Sequence, residues 1–173
     1  MTKRAIASAL LAALVVFAGP MGIAQATKTA NPGVLTRADV KRLAPTSYFF
    51  DGQAAPVETR NTVGFRTEGG KLTMAGLVDS SGYATDIHQK YQGFLITEIP
   101  LDIEGSELQP GQYGFGFIDS GKFVVMNVAA SDVLSVASQT DEKLARPVPL
   151  KMVEEGGAYR LYAGKKYVTL KAK

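Results

Sequence analysis

Between residues 47 and 170 the chain is broken again and again by glycine-bearing dipeptides: Asp51-Gly52, Gly69-Gly70, Ser81-Gly82, Glu104-Gly105, Pro110-Gly111, Ser120-Gly121, Gly156-Gly157 and Ala163-Gly164. Glycine supplies the positive φ that tight hairpin turns require. The segments between these turns are short and rich in β-branched and aromatic residues. They predict strands over Tyr48–Phe50, Val57–Thr67, Lys71–Val78, Gly93–Ile103, Gln112–Ile118, Lys122–Val128, Val148–Glu154, Tyr159–Ala163 and Lys166–Leu170. Short strands at this spacing, with no strand–helix–strand rhythm, predict an all-β antiparallel sandwich, or a barrel-like closure of the same strands. Two runs remain open. Tyr83–Gln92 reads as a strand or a short helix, and Ser131–Ala145 reads as holding a helical turn.

One helix is expected ahead of the strands, over residues 36–44. Thr36 is suited to cap it, with Asp39 three residues on, and Pro45 ends it because the residue before proline disfavours helix. Gly93–Ile99 is apolar on both faces apart from Glu98, as a doubly buried central strand would be. Phe123–Met126 is similar.

The N-terminus has a different character. Lys3 and Arg4 precede an apolar run from Ala5 to Ala18, then Gly19-Pro20, then Ala24-Gln25-Ala26. A basic start, a short apolar stretch and a small-x-small site are the parts of a cleavable signal peptide. The run is shorter than the ~20 residues a spanning helix needs, so no membrane span is expected after cleavage. Residues 1–26 are therefore expected to be a signal peptide, 27–35 a flexible mature N-terminus and 36–173 a single β domain, periplasmic or secreted. Removing Lys3 and Arg4 from the 19 basic residues leaves 17 against 16 acidic ones. The mature chain is thus nearly neutral. It shows no clustered Lys/Arg face along the sequence, and nucleic acid is not an expected partner.

The absence of cysteine excludes thiol chemistry and disulfide support. One histidine and no cysteine cannot build a usual zinc site, so neither metal nor cofactor is expected. Asp79 and Asp119 are each explained by an Asx-type turn. The single histidine, His88, stands two residues from Asp86 and near Tyr83, Ser80 and Ser81. That neighbourhood suggests a hydrolase using His88, Asp86 and a nearby serine. Asp86 and His88 would share a face on a strand and diverge on a helix, and no glycine-x-serine-x-glycine elbow is present.

The segment Gln112–Ile118 places Tyr113, Phe115 and Phe117 on one face and Gln112, Gly114 and Gly116 on the other. The aromatic face is expected to fill the core. The glycine face meets either another element of the protein or a ligand lying against bare backbone. Tyr113, Gly114, Gly116 and Tyr83 are the candidate ligand-binding residues on this reading. Tyr159, Tyr162 and Tyr167 are read as cross-strand pairs of the last hairpin.

The run Ile99–Phe117 carries the pattern L-x-P-G-x-Y-G-F at Leu108–Phe115. With Asp132–Val136 and Arg146–Leu150, it resembles small exported bacterial β-sandwich proteins of unknown function. The likeness covers the C-terminal half, implies a sandwich and lends no catalytic residue. A lipocalin-like barrel lacks its glycine-x-tryptophan signature, since the chain has no tryptophan. The functional expectation is a non-catalytic exported binding module for an envelope component, a protein or a small ligand. Alternatives are the His88 hydrolase and a structural envelope protein.

Overall fold

The structure is a computed structural model that describes residues 31–173. The expected signal peptide and residues 27–30 lie outside the described residues. The elements run β1 (Gly33–Val34), α1 (Arg37–Leu43), β2 (Ser47–Phe50), β3 (Gln53–Arg66), β4 (Leu72–Val78), α2 (Thr85–His88), β5 (Gly93–Thr97), β6 (Leu101–Ile103) and β7 (Ser106–Leu108). They continue with β8 (Gly111–Ile118), β9 (Lys122–Met126), β10 (Asp132–Ala137), β11 (Gln139–Thr140), β12 (Val148–Glu155), β13 (Ala158–Gly164) and β14 (Lys166–Ala172).

Two antiparallel sheets form an all-β sandwich. The first has the order β1-β3-β4-β5-β8-β9-β10, with β2 paired to the start of β3; the second has β12-β13-β14-β6-β7, with β11 paired to β14. The Asp51-Gly52 and Glu104-Gly105 turns have positive φ at both residues (45° and 78°; 48° and 86°). Two successive positive φ values match the right-handed twist of hairpin strands.

The inter-sheet core is hydrocarbon. Phe65, Leu95, Phe115 and Phe123 of the first sheet meet Leu101, Leu161, Val168 and Leu170 of the second, and all are fully buried. Each contributes about 1.5–3 kcal/mol on leaving water. The first sheet is buried on its outer face as well. There Phe94, Val124 and Met126 are covered by Tyr48 and Phe50 of β2 and by Tyr83 and Tyr91 around α2. This explains why β5 and β9 are apolar on both sides.

Three sequence expectations change, and one left open is decided. The Gly93–Ile103 run is two strands in different sheets, not one. Pro100 has no N–H for a ladder, and at the crossing Thr97 Oγ1 donates to the Ile99 carbonyl at 2.7 Å. Ser131–Ala145 is largely strand: Leu134 and Val136 are buried between exposed Val133 and Ser135, a period of two that pairs with β9. Tyr83–Gln92 resolves as the short helix α2. Gly33 and Val34, read as part of a flexible leader, pair with Arg66 and Phe65.

α1 begins as expected. Thr36 accepts from the Asp39 N–H, and the Asp39 carboxylate accepts from the Thr36 N–H, each at 3.2 Å. This reciprocal capping box satisfies two orphan donors of a helix only seven residues long. Those bonds to Thr36, with Arg42 nearby, hold the Asp39 carboxyl below its usual range.

Candidate functional site

The residues singled out from the sequence come together only in part. Gly114 and Gly116 are buried, not open. A Cβ on Gly114 would lie 2.4 Å from the Phe50 ring, and one on Gly116 would lie 1.9 Å from the Lys90 carbonyl oxygen. The bare backbone of β8 is thus met by other elements of the protein itself, the first of the two readings of its glycine face. Tyr83 belongs to the same layer. Its hydroxyl donates to the carbonyls of Phe50 (3.1 Å) and Gln53 (3.2 Å), tying α2 to the β2–β3 turn. The Phe50 ring stacks on Tyr91 with centroids 4.0 Å apart. Tyr113 is half-buried on the inter-sheet side and donates to the Gln109 carbonyl at 3.0 Å. Gly114, Gly116 and Tyr83 thus belong to the outer layer, while Tyr113 lies on the opposite face of β8.

His88 and Asp86 are both exposed on α2. A helix turns residues two apart away from each other, so the pair does not assemble. His88 Nδ1 lies 3.0 Å from Ser80 Oγ and 3.1 Å from the Ser80 carbonyl oxygen. A carbonyl can only accept, so this contact favours the tautomer with the proton on Nδ1. In that tautomer the nitrogen donates toward Ser80. A hollow of about 350 Å³ reaches Ser80, with Leu77, Gln92 and Pro149, but His88 does not line it. Among the described residues, no group of three His, Cys, Asp or Glu side chains could hold a metal ion. No helix among them is long and apolar enough to cross a membrane.

Another part of the molecule is shaped differently. Along β3 the register passes from Val57 opposite Val78 to Thr62 opposite Gly76, so β3 advances five residues while β4 advances two. Along β12 it passes from Val148 opposite Gly164 to Lys151 opposite Tyr162, three residues against two. Such bulges bend a strand and break its pairing. Both irregular stretches face one another where the sheets' margins meet, and a cleft of about 780 Å³ opens there. Leu35, Val40, Val63, Leu150 and Met152 provide its apolar surface, and Val148 adds a wall that is 42% exposed.

The third wall is α1. Arg37, Val40, Lys41 and Ala44 all line the cleft. Their spacing of three, one and three residues is that of a single helix face. Arg60 from the β3 bulge and Lys151 from the β12 bulge bring two more cations. Among the described residues, none of Arg37, Lys41, Arg60 and Lys151 has a carboxylate within ion-pair distance, and no acidic residue lines the cleft. These cations come from three elements spread from Arg37 to Lys151 along the sequence, and the fold brings them to one cleft. The helical spacing within Arg37–Ala44 was the one legible signal. The bulges that complete the cleft are register effects, which strand patterning does not reveal.

The cleft can hold an apolar body against its floor and present positive charge around it. The fold and cleft together define an all-β sandwich with an amphipathic cavity at a splayed sheet margin. No family model, curated protein or solved structure shows significant similarity to the chain.

Proposed function

We propose that the chain is exported by its N-terminal signal and works as a non-catalytic binding module whose ligand sits in the cleft between α1, β3 and β12. The observation that carries this reading is the pair of bulges opening onto one cavity. Each forfeits ladder hydrogen bonds, and together they leave apolar surface beside Val148 uncovered. A volume of about 780 Å³ falls within the ~300–1,000 Å³ of small-molecule sites. The signal's three-part layout supports export, and mass spectrometry of the mature protein should find Thr27 as its first residue.

Thr59 lines the cleft and is exposed, and the chain has no tryptophan. Thr59→Trp therefore introduces a single indole reporter. Titration with dodecyl maltoside and, separately, dodecanoate should shift its emission to the blue and saturate for at least one of them. Phe49→Trp, on an exposed strand position away from the cleft residues, should not respond. Equal response at both positions, or no saturation with either ligand, would sink the reading.

A further inference from the structure

Resting on that reading, we infer that the ligand is a single-chain anionic amphiphile: an aliphatic tail on the floor and a carboxylate or similar anion at the basic rim. The charge arrangement argues for this. Arg37 and Lys41 are four residues apart on one helix face, a like-charge spacing that is unfavourable by itself. Arg60 and Lys151 add to it from two other elements. The acids on the same elements are placed elsewhere. Asp39 pairs with Arg42 at 3.0 Å, Glu58 accepts from Asn61 at 2.6 Å, and Glu155 pairs with Arg160 at 2.6 Å. Glu154 lies against Gly33. Four cations thus stand around an apolar floor without an anion of the protein's own, and an anionic head group would relieve their mutual repulsion. Their mixture of guanidinium forks and ammonium groups suits an oxygen anion.

The shape argues for a free molecule and against a membrane surface. The apolar residues form the floor of a cleft walled by α1, β3 and β12, whereas a membrane-docking face would project them outward beyond the charges. The occupant is therefore a monomer of small-ligand size with one chain.

Calorimetric titration of the purified protein with dodecanoate, dodecyl maltoside and dodecyltrimethylammonium, each below its micelle concentration, tests this. Dodecanoate should bind most tightly and the cationic amphiphile least. In the double variant Arg60→Gln, Lys151→Gln, both positions being exposed, dodecanoate affinity should fall about tenfold or more, since charge-assisted hydrogen bonds are lost. Maltoside affinity should stay unchanged, and an unaltered thermal melt would show the variant folded. Equal affinity for the three head groups, or no effect of the double variant on dodecanoate, would overturn the anionic assignment while leaving the cleft as a binding site. No binding of any of the three would remove both readings. Sedimentation with phosphatidylglycerol vesicles, without binding of free dodecanoate, would overturn the assignment to a free monomer.

Discussion

Gly116 shows how one missing side chain can be read in opposite ways. A glycine in a strand signals close approach of something, and sequence cannot say whether that is a ligand or the protein. Here it is the Lys90 carbonyl, which sits where a Cβ would stand. Gly116→Ala must push that backbone away, and the cost of such overpacking is about 1–3 kcal/mol. Urea unfolding should show a loss of that size. Full stability in the variant would mean the segment after α2 does not rest on β8. His88 teaches a similar lesson. Its serine neighbours are legible in the sequence, but the contact with the Ser80 carbonyl depends on how the backbone folds.

Among elements, α1 is the clearest case of local legibility. Thr36, Asp39 and Pro45 mark its two ends, and those marks are backbone chemistry within a few residues. Its role as a cleft wall depends on what lies opposite. A seven-residue helix is marginal without its caps and its packing. Thr36→Ala should therefore cost about 1 kcal/mol of stability, measured by chemical denaturation. It should also weaken ligand binding at the cleft, because Arg37 and Lys41 follow directly on the lost cap. The β10 strand is the opposite case. Asp132–Ala137 has polar caps and turn residues nearby that suit a helical turn, yet its burial alternates with period two once β9 offers a partner. A free sheet edge overrides weak local preference.

For the molecule as a whole, stability without cross-links comes from two apolar layers, one on each face of the first sheet. The outer layer is rich in tyrosine, and burial there raises phenol pKa values: Tyr48 is pushed up to about 12, and Tyr91 is pushed higher still. Tyr83 and Tyr159 shift in the same direction, again mainly through burial. An unfolded tyrosine ionises near pH ~10. The folded pKa lies above the unfolded one, so this stabilisation is complete below about pH 10 and is lost as pH rises toward about 12. Ultraviolet titration of the seven tyrosines should show the Tyr48 and Tyr91 phenols ionising only together with the loss of tertiary structure by near-ultraviolet dichroism. A single ordinary titration of all seven would contradict the buried outer layer.

The all-β class, most strand positions, the helix cap and the doubly buried central strands followed from residue order, because turn chemistry, capping and side-chain alternation act over a few neighbouring residues. The crossing at Pro100, the filling of the β8 glycine face and the basic cleft did not. Each depends on which distant backbone lies alongside, and that is settled by strand pairing and register. Arg37, Lys41, Arg60 and Lys151 become neighbours only after two bulges and a helix have met at one margin of the sandwich.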